Sequence, residues 1–281
     1  MADTLKGNQA GKVSGARNRR ILLAVVLLGA LGTIFVSLGN WQLGRADERR
    51  EIAALIESGR RSAPTLLSES VDTGSLKPWQ AAQAEGTWMP EFSILLDNRN
   101  LNGRPGFWLA TPLSLSPGTA VLVLRGWVAR PIGSYNPFPD VTQTTHATVV
   151  AGELALRVPQ LYELAGDVEQ RISRVPVEPV GPEKSRLDLN KLPQLQNVSI
   201  GAMSESTGVK FLPVVLMQTS PSDADALTQQ WPTPSIDADT NIGYAMQWFG
   251  FAAIAYGAMG VLLWRWRRHA KIRSLNRDNN R

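Results

Sequence analysis

Nucleophiles, metal ligands and paired acids are scarce in these 281 residues. There are two histidines, His146 and His269, and no cysteine. That removes disulfides, thiolate catalysis, iron–sulfur clusters and cysteine-held zinc or copper together. A site of three imidazoles cannot be built from one chain. The sequence has no Gly-x-Ser-x-Gly elbow and no phosphate loop. His146 lies in the polar run Thr142-Gln143-Thr144-Thr145-His146 and reads as a solvated loop residue, and His269 sits among arginines near the C-terminus. Asp97 and Asp140 show no paired spacing for acid–base work and read as turn or solvated carboxylates. The six methionines form no cluster, which argues against copper delivery by this chain alone. No enzyme is expected. A binding or assembly role is.

Three aromatic-rich patterns remain. The first is Gly39-Asn40-Trp41-Gln42-Leu43-Gly44-Arg45. The second is Arg125-Gly126-Trp127-Val128. The third is Gly243-Tyr244-Ala245-Met246-Gln247-Trp248-Phe249-Gly250-Phe251-Ala252. Each has a modest account of its own. Trp41 and Trp248 suit a membrane–water interface. Gly126 permits a bend, Trp127 packs on a sheet, and Arg125 is a solvated charge at a strand end.

The elements that position these patterns follow from charge segregation. No residue from Ile21 to Gly44 is charged, a run of 24, and none from Thr240 to Trp264, a run of 25. At about 1.5 Å per residue, either run crosses a hydrocarbon core of about 30 Å as a helix. The tails outside them hold 12 of the 29 basic side chains and two of the 24 acidic ones, so the section between carries a net charge of −5. Basic residues beside a span stay on the cytoplasmic side. The expected organisation is a basic cytoplasmic tail at 1–20, a span at 21–41, a periplasmic domain at 42–240, a second span at 241–264 and a basic tail at 265–281. The tail charges meet lipid headgroups rather than nucleic acid. Small residues at four-residue spacing, Gly29, Thr33 and Ser37 in one span and Ala253 and Gly257 in the other, are candidate helix contacts.

Between the spans, an apolar stripe at Ile52, Leu55 and Ile56 continues the first helix outward to about Ser58. Short β-like runs follow. Ala84–Trp88, Phe92–Leu96, Phe107–Leu113 and Ala120–Leu124 read as an antiparallel meander with a well-buried last strand. Turns are expected within Asn98–Gly106 and at Ser116-Pro117-Gly118. Ala147–Leu156 and Val209–Met217 add strands, with Pro213 marking an edge or a bulge. Leu195–Ser206 is a candidate short helix, and Pro176–Pro182 and Trp231–Ser235 are proline-rich connectors. The expected fold class is membrane-anchored α+β. Two transmembrane helices flank a mostly antiparallel β domain that could curl into a barrel.

The three patterns, in this order between two spans, resemble the surfeit locus protein 1 family of cytochrome c oxidase assembly factors. The most specific parts are Trp41-Gln42 with Arg45, Thr111-Pro112-Leu113 followed by Arg125-Gly126-Trp127, and Tyr244-Ala245 with Gln247-Trp248-Phe249. The resemblance implies a bacterial inner-membrane protein that helps build haem–copper oxidase. Its partners would be oxidase subunit I and the haem a synthesis machinery, and its cargo, held transiently, would be haem A. The residues implied to contact that cofactor or hold the apo-subunit are Trp41, Gln42, Arg45, Arg125, Trp127, Tyr244, Gln247 and Trp248. One departure concerns iron. The family often has histidine three residues before the tyrosine, where this chain has Asn241. An amide is a poor iron ligand beside imidazole. The rival readings are a cofactor-free membrane scaffold in a periplasmic complex and a membrane-tethered envelope hydrolase.

Overall fold

The computed structural model describes residues 2–131, 138–159, 172–180, 183–220 and 227–278, with backbone alone for 2–16, 179 and 270–278. The connector expected at Pro176–Pro182 runs into residues 181 and 182, outside the described residues. The outermost tail charges, Lys6 and Lys12 among them, are likewise read from sequence only. In chain order the elements begin with α1 (Ala2–Arg61), β1 (Thr65–Leu67), β2 (Ala81–Trp88), β3 (Ile94–Leu101), β4 (Arg104–Ser116), β5 (Thr119–Ala129), β6 (Val141–Thr144) and β7 (Thr148–Ala155). They continue with β8 (Glu178–Pro179), β9 (Lys184–Leu187), β10 (Gln194–Leu195), α2 (Ile200–Thr207), β11 (Lys210–Gln218) and α3 (Asp239–Asp278). The chain divides into two compact units, Ala54–Pro234 and Met1–Ala53 with Ser235–Arg281.

The first unit is a β domain. Its main sheet runs β1-β2-β7-β11-β5-β4-β3-β10, and β2 also pairs with β4. The strands β2, β7, β11, β5 and β4 therefore close into a five-stranded barrel. Most pairings are antiparallel, but β11 joins β5 in parallel, as β1 joins β2 and β10 joins β3. The interior holds Ala82, Ala84, Leu113, Val121, Val123, Val150 and Leu216, drawn from all five barrel strands. On the outer side of β5, a second cluster of Leu122, Leu124, Trp108, Trp127 and Phe211 is covered by Met203 of α2. Buried on both faces, β5 has lost the polar alternation of a surface strand, and the sequence shows this as a near-continuous apolar run. A separate small sheet has the order β6-β9-β8.

The turns follow their residues. The β3–β4 hairpin turns at Asn102-Gly103, both with positive φ (52° and 80°), as a two-residue type I′ loop requires. The turn expected somewhere in Asn98–Gly106 is thus two residues long, and strands occupy the rest. Pro117-Gly118 joins β4 to β5. The helix expected at Leu195–Ser206 begins later, at Ile200. Ser199 caps it by accepting from the Ala202 amide (3.0 Å), and residues 194–195 pair with β3 instead. Pro213 lies where the β11–β5 register shifts, so the bulge expectation holds, while β11 is flanked by strands on both sides and is no edge.

The second unit is a pair of long helices, α1 and α3. Both contain stretches long and apolar enough to cross a membrane. On α1 the covered positions Gly32, Phe35, Gly39, Gln42 and Ala46 recur every three or four residues. On α3, Ala245, Trp248, Ala252, Ala255 and Met259 do the same. This 3.5-residue repeat is that of a coiled-coil seam. Glycine is required where the backbones come closest. A Cβ on Gly32 would lie 2.7 Å from the Tyr256 ring, and one on Gly39 would lie 2.6 Å from Phe249. Of the expected rows, Gly29 and Thr33 do meet α3: a Cβ on Gly29 would lie 3.5 Å from Met259 Sδ, and the Thr33 and Tyr256 hydroxyls share a hydrogen bond at 3.1 Å. Ser37, Ala253 and Gly257 are exposed, because the seven-residue register sets the rest of the contact.

Candidate functional site

Six of the eight expected site residues lie on the helix pair. Gln42 is in the seam, where its Oε1 accepts from Asn241 Nδ2 at 2.7 Å. Asn241 Oδ1 is buried with no hydrogen-bond partner. An amide pair in an otherwise apolar seam fixes register, since slipping a turn strands both amides. Trp248 also faces the seam and belongs to a three-ring group. Its ring centroid is 5.7 Å from that of Phe35 and 5.9 Å from that of Phe251, and Phe35 and Phe251 are 5.7 Å apart. Phe251 falls within the third aromatic pattern, whereas Phe35 has no motif in the sequence beyond the seven-residue register that aligns it with Gln42.

The other four point outward. Trp41 is 59% exposed, and Tyr244, Gln247 and Arg45 are exposed too. Arg45 Nη1 pairs with Glu48 at 2.6 Å on the helix surface. A pair this open contributes about 0–1 kcal/mol, so breaking it costs little. Where α3 begins, Asp237 holds the first turn, its carboxylate accepting from the Thr240 hydroxyl (2.6 Å) and the Asp239 amide (3.0 Å). Those bonds, the Thr240 hydroxyl first, hold the Asp237 carboxyl below its ordinary pKa. Arg49 reaches the Asp237 carbonyl.

Arg125 and Trp127 belong to the β domain, and there the expectation for Arg125 fails. It is no solvated strand-end charge but 1% exposed. Its physical origin is a bulge. Leu109 pairs with Gly126 and Ala110 with Leu124, so Arg125 is the extra residue on β5 and its side chain is re-aimed inward. The guanidinium lies 4.7 Å from the Trp88 ring centroid, and Nη1 donates to Gln143 Oε1 at 2.8 Å. Gln143 Nε2 in turn donates to Ser185 Oγ at 3.1 Å, which ties the barrel strand to the β6–β9 pair. Gly126, with φ 156°, lets Leu227 approach, for a Cβ there would sit 2.8 Å from the Leu227 Cβ. Trp127 then exchanges backbone hydrogen bonds with Thr228 (2.8 and 2.9 Å), and its indole donates to the Arg99 carbonyl at 2.9 Å. Trp127 packs on the sheet as expected, and Arg125 and Trp127 act here as architecture.

The remaining ionisable residues match or refine their readings. His146 and His269 are exposed. Asp97 is not simply solvated, being ion-paired to Arg130. Among the described residues, no group of three His, Cys, Asp or Glu side chains is placed to hold a metal.

Residues 29–253 match the model of the SURF1 family. The chain belongs to that family. It is 22% identical over 264 residues to an uncharacterised SURF1-like protein of Mycobacterium tuberculosis, covering 92% of this chain and 86% of that one. A SURF1-like protein of Rickettsia felis is 32% identical over 97 residues, or 34% of this chain and 42% of the relative. One from Dictyostelium discoideum is 29% identical over 105 residues, again 34% of this chain and 39% of the relative. The matched range of this SURF1-family chain contains all three aromatic patterns, from Trp41 to Trp248.

Proposed function

We propose that this SURF1-family protein is a non-enzymatic assembly factor for haem–copper cytochrome c oxidase, anchored in a bacterial inner membrane by α1 and α3. The observation that carries the reading is the family match over residues 29–253 on a chain whose two candidate spans bring Trp41, Arg45, Tyr244 and Gln247 out to accessible positions around one amide-locked seam. Both termini lie in the cytoplasm, following the basic tails, and the β domain lies in the periplasm. The partners are oxidase subunit I and the haem a synthesis machinery, and the protein assists delivery or insertion of haem a.

Haem A fits this chain as cargo without an axial bond from it. At position 241 the amide nitrogen is committed to Gln42 and the amide oxygen is turned into the buried seam. What the helix pair offers is aromatic surface and, at Arg45, a cation held by an exposed carboxylate that a haem carboxylate can replace. An iron ligand, where one is needed, would have to come from a partner.

The decisive experiment is a deletion strain studied by membrane redox difference spectroscopy. A fall in the haem a signal with other cytochromes unchanged is expected, and an unaltered haem a signal rejects the assembly role. Simultaneous replacement of Arg45, Tyr244 and Trp248 should reproduce the deletion. If it leaves oxidase spectra normal, these residues are not the working surface. A reporter fused at Ser220 should be active only outside the cytoplasm.

A further inference from the structure

The tip of the β3–β4 hairpin holds the one asparagine in the sequence that is followed by glycine, Asn102, and no aspartate is followed by glycine anywhere. Asparagine is among the thermolabile residues. Its side-chain amide is lost when the backbone nitrogen of the next residue attacks Cγ. Three observations bear on that reaction here. Asn102 and Gly103 are both exposed at a loop tip, open to water and hydroxide. Gly103 has no side chain to shield its nitrogen, and even a Cβ built there would meet nothing within 4 Å. The nitrogen is nevertheless engaged, because the Gly103 N–H donates to Asn100 Oδ1 at 2.9 Å.

That hydrogen bond opposes the attack. The Gly103 nitrogen must give up its proton and turn toward Asn102 Cγ. An amide oxygen accepts a hydrogen bond but is no base, so Asn100 holds the proton without removing it. The turn holds the nitrogen as well. Asn102 (φ 52°) and Gly103 (φ 80°) form the type I′ loop, which the Leu101–Arg104 pair closes, and Asn100 is anchored in the ladder opposite Pro105. Ring closure requires residues 102 and 103 to leave this conformation and break the bond to Asn100.

We propose that Asn102 is a site of spontaneous deamidation, guarded by the side chain of Asn100. In the reaction the Gly103 nitrogen loses its proton to hydroxide and forms a bond to Asn102 Cγ. The Cγ–Nδ2 bond breaks, and ammonia leaves with a proton taken from water. Water then opens the resulting succinimide at either carbonyl, giving aspartate or isoaspartate at position 102. The net change is one water consumed and one ammonia released, and nothing is oxidised or reduced. Either product adds a negative charge to the tip. Isoaspartate also lengthens the main chain by one carbon, which a two-residue I′ loop cannot take up, so the Leu101–Arg104 closure is lost. All these residues belong to the β domain, and the inference does not depend on the role in oxidase assembly.

The test is incubation of the purified full chain in maltoside micelles at mildly alkaline pH, with position 102 followed by peptide mapping and mass spectrometry. The folded parent should convert slowly, and the same chain unfolded in urea many-fold faster. N100A, at an exposed position, should convert several-fold faster than the parent with its melting transition retained. N100D keeps an acceptor for the Gly103 N–H and should stay near the parent rate. If N100A does not fold, N100V, which suits a strand and offers no acceptor, decides. Absence of conversion at position 102 in the unfolded chain, equal rates for the folded and unfolded parent, a parent rate in the folded variant lacking the acceptor, or N100D converting as fast as that variant overturns the assignment.

Discussion

The helix pair and the β domain bury polar side chains in opposite ways. The seam between α1 and α3 admits one amide pair, Gln42–Asn241, and gains its closeness from Gly32 and Gly39. The β domain instead takes whole guanidinium groups inside and cushions them on indoles, Arg125 on Trp88 and Arg99 on Trp108. A thin seam of two helices cannot surround a cation, whereas a bulged strand backed by a second sheet can. Arginine near tryptophan thus has two fates in one chain. At Trp41 and Arg45 both side chains stay exposed, and at Arg125 and Trp127 both become part of the frame.

Substitutions that exchange these roles should separate the two regions. The largest effect is expected for Arg125→Ala, which leaves Gln143 Oε1 without its donor and opens a void beside Trp88. A loss of about 3–5 kcal/mol, read by denaturant unfolding of the β-domain signal, follows from breaking a buried charged contact. Arg45→Ala should leave that transition within about 1 kcal/mol, because its ion pair is exposed. Equal losses at the two arginines would erase the contrast.

A smaller loss is expected for Gly39→Leu, whose side chain must displace the Phe249 ring. About 1–3 kcal/mol of overpacking should appear as weakened helix pairing, measured by distance labels on α1 and α3, with the β-domain transition unmoved. Asn241→Leu should cost less still, about 0.6 kcal/mol for one hydrogen bond between membrane helices. Asn241→His sharpens the comparison, since it adds an imidazole to the seam and should shift the Soret band of added haem relative to the parent protein. Identical spectra would place the haem elsewhere.

The smallest effect is one of pH. The Asp237 carboxyl sits below its ordinary pKa, chiefly through the Thr240 hydroxyl, so its support for the first turn of α3 is complete above the ordinary carboxylate range. It is lost as pH falls through the lowered value. Amide exchange in the first turn of α3 should accelerate in that acid window and be insensitive to pH above neutrality. In Asp237→Asn the acid step should vanish.

Local patterning in the chain reports local structure well. The uncharged runs announce both long helices, the apolar run Ala120–Leu124 announces a strand without a polar face, and Asn102-Gly103 lies within the expected turn. What needs distant partners is not legible. Closure by the β2–β4 pairing joins strands whose fit depends on every strand between them, and nothing in Thr87 or Trp88 names Ser114 or Leu113. Arg125 was misjudged because a one-residue bulge reverses which way a side chain points, and bulges leave no composition signal beyond Gly126. The seam of α1 and α3 was written in the sequence at seven-residue spacing, but Ser37 and Gly257 offered a four-residue pattern of equal plausibility. The site residues divided the same way. Trp41 and Tyr244 are accessible where interface anchors should be, whereas Gln42 owes its place to Asn241, 199 positions away.

The strand β11 is the last of the barrel strands to leave the ribosome, and it alone touches both β7 and β5. Until residue 218 has been synthesised, two apolar strands each keep one unsatisfied edge, a state open to mispairing with neighbouring chains. Truncations before that point should accumulate as aggregates or be degraded rather than yield a smaller domain.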